Sequence, residues 1–204
     1  GKPFEAPFQP TVAKYTDNYI IMMSASKMFS YAGQRIAVLA VSDPLYEREY
    51  PALLHKYGMA RLGDALVLGI LYAVSSGTSH SAQYALAAMF KAACDGELDF
   101  VGETSEYARR AAMTKKMFID NGFHIVYSKD GDEDVSDGFF YTVGYKGLTG
   151  AELMRELMLM GICSISLSLT GSAQSGVRIC VSQLNQSGQF ELLEQRLRQF
   201  AQMH

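Results

Sequence analysis

The sequence predicts an α/β chain in two parts: a pair of apolar strands followed by helices, then a small α+β domain. Three patterns predict it. The runs "NYIIMMSA" and "RIAVLAVS" are short, continuously apolar and partly β-branched, which fits strands buried on both faces. Helical spacing dominates from Pro44 to Cys94, and short strand-like runs alternate with amphipathic helical segments from Phe123 onward. The boundary falls near residue 100, giving domains 1–100 and 101–204, the second beginning with a long bridging helix.

Taken in order, residues 1–17 carry three prolines and little periodicity, as expected of an extended arm. The two strand runs follow, with Lys27 where the first ends and Arg35 where the second begins. Asp43 is placed to cap a helix that has Pro44 at its first position, and Pro51 should kink or split the segment before it stops at Gly58. "MARLGDALVLGILYAV" has helical spacing, "SSGTS" interrupts it, and "HSAQYALAAMFKAAC" resumes with strong helix formers. "ETSEYARRAAMTKKMFIDNG" reads as a long amphipathic helix capped by Thr104 or Ser105 and stopped at Gly122. Beyond it, "FHIVYS", "GFFYTVGY", "ICSISLSL" and "VRICVSQ" are expected strands, and "GAELMRELMLM" and "QFELLEQRLRQFAQM" are expected helices. The acidic "KDGDEDVSDG" reads as an exposed connection.

Composition narrows the functional classes. At 204 residues and 49% hydrophobic, the chain can fill a core. A formal net charge of −3 with interspersed signs offers no extended cationic surface for nucleic acid. No apolar run reaches the roughly 18–20 residues that span a bilayer, and no secretory leader is evident, so neither membrane nor export is expected. Cys94, Cys163 and Cys180 lie far apart in sequence, without a Cys-x-x-Cys, which supports neither a disulfide framework nor a zinc site. A reducing, cytoplasmic setting is expected. The start at Gly1, without methionine, reads as the interior of a longer protein.

Chemistry concentrates in "SASKMFSYAGQRIA". A lysine held at a strand end and partly desolvated is a suitable amine nucleophile for an aldehyde. A phosphate ester needs a fixed cation and hydrogen-bond donors, which Arg35 and Ser24 supply. Gly33 would allow close backbone approach or a positive φ between them. The segment resembles the lysine signature of the class I/II aminotransferases, pyridoxal-phosphate enzymes of fold type I. Ser24, Ser26, Lys27, Gly33, Arg35, Ile36 and Ala37 fall in its register, while Tyr31 departs from it. "SDGFFYTV" and "GSAQSGVRICVSQ" resemble the same family's small-domain strands, so the chain lies along the C-terminal half of the fold: the last part of the large domain, then the small domain.

The resemblance implies pyridoxal 5'-phosphate as cofactor, Lys27 as the catalytic amine, and Ser24, Ser26, Lys27 and Arg35 as cofactor-binding residues. Arg178, on a strand expected to be a buried edge, would bind the α-carboxylate of an amino acid; an ion-paired structural arginine is the other reading. Ser79 and His80 fall where the family's loop reaches a neighbouring subunit's active site in a homodimer, although a helix-cap role explains Ser79 equally well. His55, His124 and His204 have no partner at ligand spacing and read as structural, so no metal is expected.

The implied activity is amino-group transfer between an amino acid and a 2-oxo acid. A pyridoxal-phosphate lyase or synthase of the same fold, or a non-catalytic ligand-sensing module of a regulator, are the alternatives. In this family the aspartate at the pyridinium nitrogen and the glycine-rich phosphate cradle precede the lysine, so the piece is expected to be inactive alone. "Ser24-Ala-Ser-Lys27" also spells the Ser-x-x-Lys of serine acyl enzymes, but the companion Ser-x-Asn and Lys-Thr-Gly motifs do not occur.

Overall fold

A computed structural model describes residues 11–135 and 138–204. The described residues form two compact units, 11–100 and 101–204. The arm expected over residues 1–17 lies outside the described residues as far as Pro10; beyond it the chain makes a 3-10 turn, Val12–Lys14, with Thr11 Oγ1 accepting from the Ala13 amide.

In the first unit, β1 (Ile20–Ser24) leads into the one-turn helix α1 (Ala25–Met28), and β2 (Ala37–Val41) returns antiparallel to β1. The register pairs Ile20 with Val41 and Ser24 with Ala37, so residues 25–36 close one end of a two-stranded sheet. The expectation of burial on both faces fails here: Met22 is 82% exposed and Ile20 is also exposed. Among the described residues this sheet has no third strand, and its small core gathers Ala25, Ile36, Ala82 and Leu86, with Val38 beside them.

Helices fill the rest of this unit. α2 (Asp43–Tyr46) is preceded by Ser42 at the N-cap position, one residue before the cap expected at Asp43. α3 (Pro51–Tyr57) is a separate helix, split off where Pro51 removes a backbone donor, and Gly58 ends it at φ +73°. α4 (Leu62–Asp64), a π-helical stretch Ala65–Tyr72 and α5 (Ala73–Ser75) run on as one wide-turned helix. Arg61 at its N-cap reaches Asp64 at 2.7 Å and Glu47 at 2.9 Å. Ser76 and Gly77, both at positive φ, break the run, and α6 (His80–Cys94) follows.

The second unit is an α+β layer, and its first helix starts one residue ahead of the unit boundary. α7 (Phe100–Asp120) contains Thr104 and Ser105 within it, not at its cap, and Thr104 Oγ1 donates back to the Val101 carbonyl at 2.8 Å. β3 (Phe123–Ile125) follows Gly122, whose φ of +89° ends the helix. The acidic connection carries a two-rung hairpin, β4 (Lys129–Asp130) with β5 (Glu133–Asp134), pinned by Lys129 to Asp134 at 2.7 Å. Then come β6 (Phe140–Tyr145), α8 (Gly150–Leu159), β7 (Ile165–Ser166), β8 (Val177–Cys180) and α9 (Gln189–Met203). "ICSISLSL" gives only the two residues of β7 before turning into a 3-10 helix, Leu167–Thr170.

The sheet order β3-β6-β8-β7 is antiparallel throughout. One face, with Tyr141, Val143, Val177 and Ile179, is buried in the same cluster as Phe118 of α7, Leu153 and Leu157 of α8, and Leu197 and Phe200 of α9. Spacings of three and four residues put each helical pair on one stripe. A close contact seats α8 on the sheet: a Cβ at Gly150 would lie 2.5 Å from the Gly176 carbonyl, so glycine is required at the start of α8. Among the described residues no helix is long and apolar enough to cross a membrane, and no group of three or more His, Cys, Asp or Glu could hold a metal ion.

Candidate functional site

The loop 25–36 positions the residues around Lys27 through one buried alanine. Ser24 is the N-cap of α1, its Oγ accepting from the Ser26 amide at 3.3 Å, so the chain turns sharply as β1 ends. Ala25 is 2% exposed; its amide donates to the Ile36 carbonyl at 3.3 Å, and its carbonyl accepts from the Phe29 and Tyr31 amides at 3.2 and 3.1 Å. Phe29 is held edge-on against Phe90 and Phe100, with ring centroids 5.3 and 5.4 Å away. Lys27 lies midway between these anchors and is exposed.

This corrects the expectation of a partly desolvated amine. Within the described residues the turn buries Ala25 and turns Lys27 to the solvent side, because a single helical turn can present only one residue in three or four to the core beneath it. Ser24 and Arg35 are exposed as well.

Arg35 is set by the backbone. It caps a 3-10 turn, Ala32–Gln34, in the left-handed region (φ +51°, ψ +47°), and its Nη1 donates to the Ala32 carbonyl at 3.1 Å. The positive φ expected of Gly33 falls instead on Arg35 and on Ser30 (φ +52°), and a Cβ at Gly33 would touch nothing. Such conformations cost a non-glycine residue about 1–2 kcal/mol and concentrate at functional sites. Nothing in the sequence marks Ser30, since neither glycine nor asparagine stands there. The hairpin end thus presents an ammonium, a guanidinium and two serine hydroxyls on one twelve-residue loop, a donor set suited to an anionic ligand carrying a carbonyl.

Arg178 lies on β8, an internal strand flanked by β6 and β7, and is half-buried, so the expected buried edge position is corrected on both counts. It pairs in register with Thr142 and Ile165 on the sheet face opposite the core. Its guanidinium sits 4.4 Å from the Phe140 ring centroid, a cation–π contact that steadies the side chain. Among the described residues no carboxylate pairs with it. A planar guanidinium held this way can take a carboxylate through two parallel N–H donors.

Ser79 stands at the N-cap position of α6 without a capping bond; its Oγ is 3.1 Å from Ser81 Oγ, and both Ser79 and His80 are exposed. Of the histidines, His55 is exposed, His124 packs across Gly144, and His204 lies against Phe200 with centroids 4.5 Å apart and 3.9 Å from Glu156.

A sequence profile of the aminotransferase class I and II family matches residues 2–195. The chain belongs to the class I and II aminotransferase family. Comparison with curated proteins returns no match. Among solved structures, the L-threonine-O-3-phosphate decarboxylase of Porphyromonas gingivalis aligns at 16% identity over 93% of this chain and 48% of its own, with a TM-score of 0.55. The aspartate aminotransferase of Rhizobium meliloti aligns at 14% identity, over 90% of this chain and 42% of its own, TM-score 0.58. That of Rhodobacter sphaeroides aligns at 16%, over 92% and 41%, TM-score 0.53. The chain therefore has the α/β fold of the type I aminotransferases and spans less than half the length of these structures.

Proposed function

We propose that the chain is part of a pyridoxal-phosphate-dependent aminotransferase that moves an amino group between an amino acid and a 2-oxo acid. The observation that carries this reading is the hairpin end at Ser24 and Ala37, where Lys27 and Arg35 emerge from one loop within a chain matched to the family over residues 2–195. The residues fit the cofactor in kind: an amine for its aldehyde, and a guanidinium with serine hydroxyls for its phosphate. Pyridoxal phosphate, when bound, supplies an aldehyde carbon and an electron-withdrawing ring.

The chain's own groups do the rest. Lys27 Nζ accepts the proton from substrate Cα when neutral and returns it when charged. Arg35, with Ser24 and Ser26, holds the phosphate, and Arg178 orients the substrate through its α-carboxylate. Ser79 and His80, both exposed and with no side-chain capping bond from Ser79 to the helix start, suit contact with a second subunit of a homodimer. With Lys27, Ser24 and Arg35 all exposed, the 204-residue chain alone is expected to turn over slowly or not at all.

The test is selective labelling. The chain is incubated with pyridoxal phosphate, reduced with borohydride and mapped by peptide mass spectrometry. Lys27 should carry the pyridoxyl group in preference to other exposed lysines such as Lys56 and Lys91. Arg35→Gln should weaken labelling about tenfold or more, the loss of one charge-assisted bond of roughly 1.5–3 kcal/mol. Label spread evenly over the lysines would defeat the assignment. The match to a decarboxylase supports a second reading, a pyridoxal-phosphate lyase on the same residues. Release of carbon dioxide without amino transfer by the full-length enzyme would select it.

A further inference from the structure

We propose that Cys163 and Cys180 form a thiol–disulfide pair across the end of the β7–β8 ladder. Far apart in sequence, they are brought face to face by register. β7 and β8 run antiparallel with Ile165 opposite Arg178 and Ser166 opposite Val177; continuing the same register past the last rung sets Cys163 opposite Cys180. Burial follows that alternation beyond the ladder. Ile162 and Val181, which the same register would oppose next, are both buried, whereas Cys163 and Cys180 are both exposed, as expected of two residues on the same outer face.

A second observation agrees. Both cysteines border one concavity whose other walls include the core-side residues Phe118, Ile162, Ile179 and Leu193, which places the two near one another without assigning a face to either. The segment entering Cys163 is tied down on either side, by Arg196 Nη1 donating to the Gly161 carbonyl at 2.8 Å and by the ladder itself at Ile165. Directly opposed residues of an antiparallel pair have Cα atoms about 4.5–5.5 Å apart, within the roughly 4.4–6.8 Å that a disulfide bridges. Cys180 Sγ now lies 3.1 Å from Ser182 Oγ, a contact it would exchange for the bond. Cys94 is in the other unit and takes no part.

The oxidant is a low-molecular-weight disulfide. The thiolate of one cysteine attacks it, forming a mixed disulfide and expelling one thiolate. The other cysteine, its proton released to solvent, then attacks the protein sulfur of that mixed disulfide, closes the cross-strand bond and expels the second thiolate. Two protein thiols are oxidised and one external disulfide is reduced to two thiols. The closed bond locks β7, only two residues long, onto the strand that carries Arg178. This inference rests on strand register and does not depend on the role proposed for Arg178.

The test uses the 204-residue chain carrying Cys94→Ser, exposed to mixtures of oxidised and reduced glutathione, quenched in acid and mapped without reduction. Expected is a chain lighter by two hydrogen atoms, with the Cys163 and Cys180 peptides joined. Adding Cys180→Ser should leave Cys163 as a stable glutathione adduct. Closure should be about tenfold or more faster in the folded chain than in urea, because the fold raises the local concentration of one thiol at the other. Glutathione adducts on both cysteines without a cross-link, or equal closure rates folded and unfolded, would overturn the proposal.

Discussion

Replacing Phe118 by alanine tests the core on which β8 is mounted. Phe118 is fully buried in α7 and meets the Phe123 ring edge-on at 5.0 Å and the Tyr141 ring at 6.1 Å. Removing a buried phenyl ring typically costs about 3–5 kcal/mol, and edge-to-face partners favour the upper part of that range. A domain of this size is stable by only about 5–15 kcal/mol, so a large share would go. The neighbouring Ile119 is 51% exposed, and its alanine variant should stay within about 0.5 kcal/mol. Hydrogen exchange followed by mass spectrometry on the β6 peptides reads the difference locally. Protection there should fall by roughly two to three and a half orders of magnitude in Phe118→Ala and remain nearly unchanged in Ile119→Ala, with Phe118→Leu between them. Equal losses at 118 and 119 would refute the assignment of the buried face of α7.

Two further perturbations address local bonds in the same unit. Thr149 and Glu152 form a reciprocal capping box at the start of α8, and Thr149→Ala should cost about 1 kcal/mol, seen as a lower urea midpoint with an unchanged slope. Glu106 is bonded by Arg109 and then Arg110, which lower its carboxyl from the ordinary 4.5 to about 2. A depressed carboxyl stabilises the fold above its unfolded value and loses that contribution as pH falls through its folded value. The urea midpoint should therefore drop between pH 4.5 and about 2, and Glu106→Gln should flatten that part of the profile.

The helices were legible because their information is local. Leu153 and Leu157, or Ala111, Thr114 and Phe118, repeat at helical spacing whatever packs against them, and Gly58 and Gly122 end helices by their own backbone freedom. What escaped reading depends on neighbours distant in sequence. The apolar run Ile20–Ser24 does not reveal whether anything covers it, and most of its side chains are open to solvent. The Lys27 and Arg35 pattern is plain as a motif, yet the left-handed turn at Arg35 is dictated by Ile36 returning to the core and not by any glycine at hand. Arg178 was legible as a residue type but not as an internal-strand residue stacked on Phe140, because strand order cannot be read along a single strand.

The π-helical stretch Ala65–Tyr72 changes how this part of the chain can vary in length. In α7, deleting one residue would swing everything beyond the cut by about 100° and drag buried side chains off their stripe. Between residues 65 and 72 the turns already hold surplus backbone, so losing a residue can tighten them to ordinary α geometry and leave the flanking helices facing as before. Single-residue length changes should accordingly be absorbed here and rejected along α7.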